Sequence, residues 1–160
     1  MSLKQLVATD KAPAAIGPYS QATIHNGTCY VSGCIGLVPG AEKPTLADGV
    51  CRGLNPGPAL PTPPLTSPAF EHVCGQGIEG QTRQALDNLK AVVEAAGGQM
   101  INVLKTTVLL SGDMSTYPVV NGIYAEYFPE SPPARAAFAV AALPAGALIE
   151  IECIVALESK

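Results

Sequence analysis

The sequence predicts a single α+β domain in which two helices pack on one face of a β-sheet. Three observations support this prediction. Short β-branched and apolar segments are typical of strands, two longer segments have the apolar spacing of amphipathic helices, and together they follow the order β-β-β-α-β-α-β-β. The length of 160 residues suits one domain, so we expect residues 1–160 to fold as a unit.

The first half of the sequence contains a predicted hairpin and the clearest helix. Strands over Ala22–His25 and Thr28–Gly33 flank Asn26-Gly27, a dipeptide that readily adopts the two positive φ angles of a type I′ turn. A helix is predicted over Glu79–Ala96, because the segment begins with an acidic residue and is followed by Gly97-Gly98. Its apolar stripe consists of Ala85, Leu86, Leu89, Val92, Val93 and Ala96.

The second half begins with a strand and a second helix. Val103–Leu110 is apolar and β-branched, which predicts a buried strand. Ser115 or Thr116 is expected to cap the helix, with Pro118 in its first turn and Pro129 ending it. The apolar face of this helix comprises Val119, Val120, Ile123, Tyr124, Tyr127 and Phe128.

Two further strands complete the chain. The first is predicted over Ala134–Ala142, and the second has the period-two alternation of a strand with one carboxylate-bearing face: Ile149, Ile151, Cys153, Val155 and Leu157 alternate with Glu150, Glu152 and Glu158. A tight turn near Ala145 would place Arg135 opposite residue 154, about four residues or ~13 Å from Glu150. Contact between the two side chains would then need a bulge, a bridging water or a neighbouring subunit.

A proline-rich segment separates the hairpin from the first helix. Seven prolines lie between Pro44 and Pro68, and no charged residue lies between Arg52 and Glu71. Neither a helix nor a central strand is expected there. Because long structureless connections are uncommon inside compact domains, we interpret residues 51–77 as a surface insertion within the single domain.

Composition narrows the class of protein. Hydrophobic residues make up 48% and charged residues 14%, so much of the surface is expected to be apolar or covered by another chain, which predicts an oligomer. The net charge of −4 and the lack of a basic run disfavour nucleic-acid binding.

No segment is long enough to span a membrane and no secretory signal is evident. We expect a cytoplasmic protein with free cysteines; a mitochondrial location stays open, although no transit peptide is evident.

The common catalytic motifs are absent from the sequence. It contains no GxSxG, HExxH or P-loop, and no GxGxxG after a strand. His25 and His72 are better interpreted as surface histidines than as catalytic residues. Cys51, His72 and Cys74 could supply three metal ligands, but their spacing and the missing fourth ligand argue against a metal site.

A small set of polar residues in apolar surroundings remains as the candidate site. Arg135 is the only charged residue between Glu130 and Glu150, and its planar guanidinium suits a carboxylate group. That carboxylate could belong to a ligand or to a structural ion pair, and the residues alone leave both open. The other candidates are Glu150, Asn121, Tyr19 and Ser32-Gly33.

Motifs throughout the chain outside the insertion match one family in sequence and in order. They are AAIGPYSQ at 14–21, YVSG at 30–33, QTRQALDNL at 81–89, EAAG at 94–97, KTTV at 105–108, PAR at 133–135, VAALP at 140–144 and IEIE at 149–152. The chain therefore resembles the RidA/YjgF/UK114 family of small enamine/imine deaminases, also labelled endoribonuclease L-PSP. This resemblance implies a chorismate-mutase-like fold of the bacillus type, with a mixed sheet, and a homotrimer with three pockets at the subunit interfaces.

The resemblance also implies roles for particular residues. Arg135 would bind the substrate carboxylate together with the Gly33 amide, while Tyr19 and Asn121 shape and close the pocket and Glu150 orients the attacking water. Ser32 and Ala137 would contribute to substrate binding. The implied substrate is a 2-aminoacrylate-type enamine or its 2-imino acid tautomer, hydrolysed to a 2-keto acid and ammonia without metal or cofactor.

Three departures from the family pattern stand out, and two other functions stay open. One departure is the insertion at 51–77, and the other two are single residues. Cys34 stands where the family commonly has Gln, and Ala137 where many members have Cys. One alternative is an endoribonuclease or translation inhibitor, which the acidic composition disfavours. The other is a non-catalytic module that binds small carboxylates through Arg135.

Overall fold

The structure, a computed structural model, describes residues 3–41 and 77–158. Within these ranges the order predicted from the sequence is confirmed, with six strands, two helices and short 3-10 turns at Met100–Asn102 and Pro144–Gly146. The strands and helices are β1 (Gln5–Val7), β2 (Ala22–His25), β3 (Thr28–Ile35), α1 (Ile78–Ala95), β4 (Val103–Ser111), α2 (Tyr117–Tyr127), β5 (Ala134–Val140) and β6 (Ile149–Ala156).

The strands form one mixed sheet in the order β1-β2-β3-β6-β4-β5. All neighbours are antiparallel except β4 and β5, which are parallel and joined by the α2 crossover. The pairing of Arg135 with residue 154 across a tight turn near Ala145, considered from the sequence, is therefore wrong, because β5 and β6 are not neighbours in the sheet. The crossover leaves β5 at the sheet edge, and the connection through the turn at 144–146 carries the chain past β4 so that β6 inserts between β3 and β4.

Local features agree with the sequence at one turn and differ at one cap. Asn26 and Gly27 have φ angles of 48° and 72°, which confirms the turn of the β2-β3 hairpin. Thr116 precedes α2, as expected, but its side chain makes no capping hydrogen bond. Instead Asp113 Oδ1 accepts a hydrogen bond from the Ser115 amide at 2.8 Å, which forms the turn ahead of the helix.

Both helices pack on one face of the sheet, as predicted. The core lies between that face and α1, and it includes Leu86, Leu89, Val93, Ile149, Ile151, Cys153 and Val155. On the opposite face a small cluster around Leu37 and Leu143 covers one end. Farther along, Tyr30 and Phe138 are each 48% exposed, so an apolar area of the sheet is open to solvent in the single chain.

Several expectations concern parts of the chain that are only partly described. The proline-rich segment at 51–77 lies outside the described residues, apart from Gly77, which immediately precedes α1. Cys29, Cys34 and Cys153 are free thiols, as expected. In the described ranges, no helix combines the length and apolar character needed to cross a membrane.

Candidate active site

A bulge in β3 forms one side of the candidate site. The register of β3 against β6 shifts between Val31 and Cys34. As a result, Ser32 and Gly33 together oppose a single residue of β6, Glu152. Bulges redirect neighbouring side chains and are common beside active sites, and this one includes two of the residues predicted to bind substrate.

The carboxylate of Glu150 occupies the space beside Gly33. A Cβ atom at position 33 would overlap Oε1 of Glu150 and lie 2.7 Å from its Cδ. Glycine therefore leaves room for the carboxylate, because a side chain on the bulge would displace Glu150. The structure brings Gly33 and Glu150 together, although they are 117 positions apart in the chain (150 − 33).

The setting of Glu150 changes its acidity. Burial raises the pKa of the Glu150 carboxyl above its ordinary value, and the negative charge of Glu152 raises it further. A carboxylate with a raised pKa is a stronger base than an ordinary one, so it is better suited to take a proton from water.

The loop between β1 and β2 covers the bulge, and Gln21 holds it in place. Oε1 of Gln21 accepts a hydrogen bond from the Thr9 amide at 2.6 Å, and Nε2 donates to the Pro13 carbonyl at 2.8 Å. Gln21 was not singled out from the sequence as a functional residue, although it ends the first family motif. Its side chain bonds to backbone groups of the same loop, and the residue type alone does not reveal which groups a glutamine will contact.

Ser32 and Tyr19 complete this half of the site. The Ser32 hydroxyl donates to the Ser20 carbonyl at 2.7 Å, so it fastens the loop to the bulge. Tyr19 lies in the same loop, immediately before Ser20, and its side chain is half exposed. The Tyr19 hydroxyl accepts a 3.4 Å hydrogen bond from the Ile16 amide.

These elements enclose a cavity of about 420 Å³. Four of the predicted residues line it, namely Tyr19, Ser32, Gly33 and Glu150. Asn88 of α1 also lines it, and its Nδ2 donates to the carbonyls of Ile35 at 3.0 Å and Leu37 at 2.8 Å. Asn88 was also missed from the sequence; it holds the chain that leaves β3, so it fixes the shape of the cavity wall.

Arg135 lies elsewhere, at the exposed edge strand β5. Its Nη2 donates to Asn121 Oδ1 of α2 at 2.9 Å, so two of the candidate residues are in direct contact. The guanidinium carbon lies 4.5 Å from the ring centroid of Tyr124 and 5.6 Å from that of Tyr117. Among the described residues, no carboxylate lies within ion-pair distance of Arg135. Within that part of the chain the structural ion pair considered from the sequence does not form.

Strand register places Arg135 and Glu150 on opposite faces of the sheet. Arg135 pairs with Thr106, a buried residue on the helix-covered face. Glu150 pairs with Leu109, whose strand partner on the other side is the half-exposed Phe138 of the open face. Because β4 also lies between the two strands, their backbones are about 10 Å apart. One copy of the chain therefore does not bring Arg135 and Glu150 together.

Ala137 and Cys34 occupy the two departures from the family pattern. Ala137 lies two residues beyond Arg135 on β5, on the same face, and is not part of the cavity wall. Cys34 lines the cavity, where burial and the nearby Glu150 charge raise the pKa of its thiol to about 12. The thiol is thus protonated at neutral pH and is a poor nucleophile.

The other sequence candidates show no catalytic arrangement. His25 is exposed, and its Nδ1 lies 2.9 Å from the Leu3 carbonyl, as suits the predicted surface histidine. His72, Cys51 and Cys74 lie outside the described residues. Over residues 3–41 and 77–158, no group of three His, Cys, Asp or Glu side chains is placed to hold a metal ion.

The sequence and the fold correspond to one family of proteins. Residues 64–157 match the family model described as Endoribonuclease L-PSP. The mouse protein named 2-iminobutanoate/2-iminopropanoate deaminase is 42% identical over 152 residues, which cover 95% of this chain and 90% of that protein. The chain belongs to this family, whose members include the RidA and YjgF proteins.

Solved structures agree with this assignment. The crystal structure of RidA from the Antarctic bacterium Psychrobacter sp. superimposes with a TM-score of 0.73 at 37% identity, covering 96% of this chain and 99% of that one. The YjgF gene product of E. coli gives a TM-score of 0.70 at 33% identity, again covering 96% and 99%. Both comparisons support the mixed sheet with two helices on one face.

Proposed function

We propose that the protein is an enamine/imine deaminase that hydrolyses 2-iminobutanoate, 2-iminopropanoate and related enamines to 2-keto acids and ammonia. The observation that carries the proposal is Arg135, a guanidinium held by an amide and two aromatic rings, with no carboxylate partner among the described residues. Such a group is ready to receive the carboxylate of a ligand. The name of the mouse relative supplies the substrate class.

The proposed chemistry uses two half-sites: the Glu150 half, which is the cavity lined by Tyr19, Ser32, Gly33 and Glu150, and the Arg135 half, which contains Arg135 and Asn121. Arg135 binds the substrate carboxylate, with Asn121 fixing the guanidinium. Water adds to C2 of the imine while Glu150 accepts the proton from that water, and the proton then passes to the nitrogen. The proton of the new hydroxyl group then passes to the nitrogen through Glu150 as the C2–N bond breaks, so ammonia leaves and C2=O of the keto acid forms. Imines are already electrophilic, so positioning and one proton acceptor suffice without a covalent intermediate.

The proposal includes a homotrimer in which each site combines residues of two copies. Arg135 and Glu150 lie on opposite faces of one sheet, so a complete site requires the Arg135 half of one copy beside the Glu150 half of its neighbour. The exposed apolar face around Tyr30 and Phe138 offers the surface for such contacts. We further propose a cytoplasmic location.

The function is tested by ammonia release from enzymatically generated 2-iminobutanoate. Arg135→Lys keeps the charge but loses the bidentate geometry, so kcat/KM should fall at least tenfold, about 1.4 kcal/mol of transition-state binding. Glu150→Gln should lower kcat with carboxylate binding retained, because the amide accepts a proton poorly. Arg83→Lys is the matched control, since Arg83 pairs with Glu126 at the helix surface and should leave activity unchanged.

Two outcomes would reject the deaminase. Wild-type hydrolysis no faster than the spontaneous reaction, combined with tight keto-acid binding, would identify a non-catalytic carboxylate-binding module. The family description favours testing a second activity, so the same preparations are incubated with single-stranded RNA. RNA cleavage that disappears in Arg135→Lys, with no imine hydrolysis, would replace the deaminase by a ribonuclease.

A further inference from the structure

The positive charge of Arg135 is held by aromatic rings rather than by an acid. Tyr124 lies 4.5 Å from the guanidinium carbon, within the range of a cation–π contact, and Tyr117 lies at 5.6 Å. A ring face attracts the cation without occupying its N–H donors or neutralising it. Only Nη2 is engaged by a hydrogen bond among the described residues, to Asn121, so the other donors stay available for a ligand.

Tyr124 is itself rigidly held. Its side chain is 5% exposed, and its hydroxyl shares a 2.8 Å hydrogen bond with that of Thr106, which is fully buried. Its ring also packs against Phe128, with centroids 4.5 Å apart. Thr106 is the residue on β4 that pairs directly with Arg135 on β5. The strand that carries the arginine and the ring that supports its guanidinium are therefore fixed to each other through Thr106.

We propose that Tyr124, anchored by Thr106, is a positioning residue that presents the Arg135 guanidinium to a carboxylate ligand, with Tyr117 as a second, more exposed support. This inference rests on the proposed function for the identity of the ligand. Tyr124 does not touch the substrate in this arrangement; it acts through Arg135. Replacing the ring by an aliphatic side chain would leave the guanidinium free to rotate. The affinity for the ligand would then fall, because binding would have to order the Arg135 side chain.

The test measures binding of 2-oxobutanoate, a carboxylate that does not react, by calorimetry. Tyr124→Leu removes the ring and should weaken binding about tenfold, within the range of a cation–π contact. Tyr124→Phe keeps the ring but breaks the bond to Thr106, so it should lower the melting temperature while affinity stays within about threefold of wild type. Tyr127→Leu is the control on the same helix, because the Tyr127 hydroxyl bonds to Asp87 and should leave affinity unchanged.

Two further measurements separate positioning from a general structural role. With 2-iminobutanoate, Tyr124→Leu should raise KM more than it lowers kcat. In an Arg135→Lys background, Tyr124→Leu should have little further effect, because the residue acts through the guanidinium. If Tyr124→Leu does not fold, Tyr117→Leu carries the same test with a smaller expected loss.

The outcomes are distinguishable from those of the proposed function. Wild-type binding of 2-oxobutanoate without imine turnover would reject the deaminase and leave the positioning role to be judged by affinity. Unchanged affinity in Tyr124→Leu, equal losses in Tyr124→Leu and Tyr124→Phe, or additive effects with Arg135→Lys would each overturn the inference. Absence of 2-oxobutanoate binding to the wild type would overturn it as well.

Discussion

Gly33 shows how one residue without a side chain determines where a charge lies. Its Cα faces the Glu150 carboxylate inside the β3 bulge, and any Cβ would collide with the end of that side chain. The collision involves flexible atoms rather than backbone, so the rest of the sheet can stay in place. Residue 33 therefore controls the position of the proposed base more than it controls folding.

Gly33→Ala is expected to inactivate the protein without unfolding it. The added methyl group pushes Glu150 out of the bulge, and a displaced base should reduce kcat for 2-iminobutanoate at least tenfold. The melting temperature should stay within a few degrees of wild type, as measured by calorimetry. An alanine variant with full activity would show that Glu150 works from another position.

The pH dependence of turnover should reveal the surroundings of Glu150. Its pKa is raised by burial and by Glu152, so kcat should decline on acidification at a pH above the ordinary glutamic acid range. Glu152→Gln removes one of the two causes, and the acid limb of the profile should move to lower pH. If Glu152→Gln leaves the acid limb of the kcat profile at the same pH, that limb reports the titration of a group other than Glu150.

The same shift has a consequence for stability, with a definite sign. Because the folded pKa is raised, the folded state binds the proton of Glu150 more tightly than the unfolded state does. The stabilisation from Glu150 is therefore complete at low pH and is lost as pH rises through the folded pKa. We expect Glu150→Gln to melt slightly higher than wild type at neutral pH, and a lower melting temperature would contradict this.

At the scale of secondary structure, α1 and the end of β3 are in close contact. Gly36 lies so near α1 that a Cβ there would be 2.7 Å from the Cα of Gln81 and 2.9 Å from its carbonyl oxygen. Gln81 in turn accepts a hydrogen bond from the Leu148 amide through Oε1 at 2.8 Å. The helix thus aligns the chain leaving β3 with the chain entering β6, which carries Glu150.

Gly36→Ala should therefore destabilise the fold, in contrast to Gly33→Ala. The new methyl would meet helix backbone that cannot rotate away, and overpacking of this kind costs about 1–3 kcal/mol. Urea unfolding monitored by circular dichroism should show a lower midpoint with an unchanged slope. Equal stability of the two glycine variants would argue against this contact.

Most of the helices, strands and turns can be predicted from the sequence, whereas contacts between distant parts of the chain cannot. The β2-β3 turn, α1 and the alternation in β6 follow from local preferences and periodicity, and all three are confirmed. The position of β6 between β3 and β4 depends on pairing between distant strands, which periodicity does not encode. Asn88 and Tyr124 were missed as supports of the site for the same reason, since they bond to other elements, 53 and 18 positions away in the chain. Gln21 was missed because its partners are backbone groups of its own loop, which residue type does not reveal.

At the scale of the whole molecule, the sheet separates the two parts of the proposed site, one containing Glu150 and the other Arg135. The Glu150 half lies on the open face beside the 420 Å³ cavity, and the Arg135 half lies at the helix-covered side of the edge strand. The sequence predicts that Arg135 and Glu150 lie apart within one chain, but it does not predict that they lie on opposite faces, because that depends on β4 lying between β5 and β6. The low content of charged residues agrees with burial of the open face between copies.

Two inactive variants should restore activity when they are combined. Coexpressed Arg135→Lys and Glu150→Gln chains would form mixed trimers, and random assembly leaves about a quarter of the interfaces with both groups intact. Ammonia release should recover to about that fraction of wild type. The two variants purified separately and mixed without subunit exchange are the control. No recovery in mixed trimers would place each complete site within one chain.

The edge strand that carries Arg135 has one more consequence. Among the strands of the described residues, β5 pairs with β4 alone, and in its sequence ARAAFAV the arginine is the sole charged residue. An uncharged apolar edge strand invites pairing with strands of other molecules, and a single charge on it is a common protection against aggregation. By this argument the charge of Arg135 would protect the edge strand from aggregation, in addition to the proposed binding of a carboxylate. Lysine, which keeps this protection, is for that reason a more informative replacement than alanine.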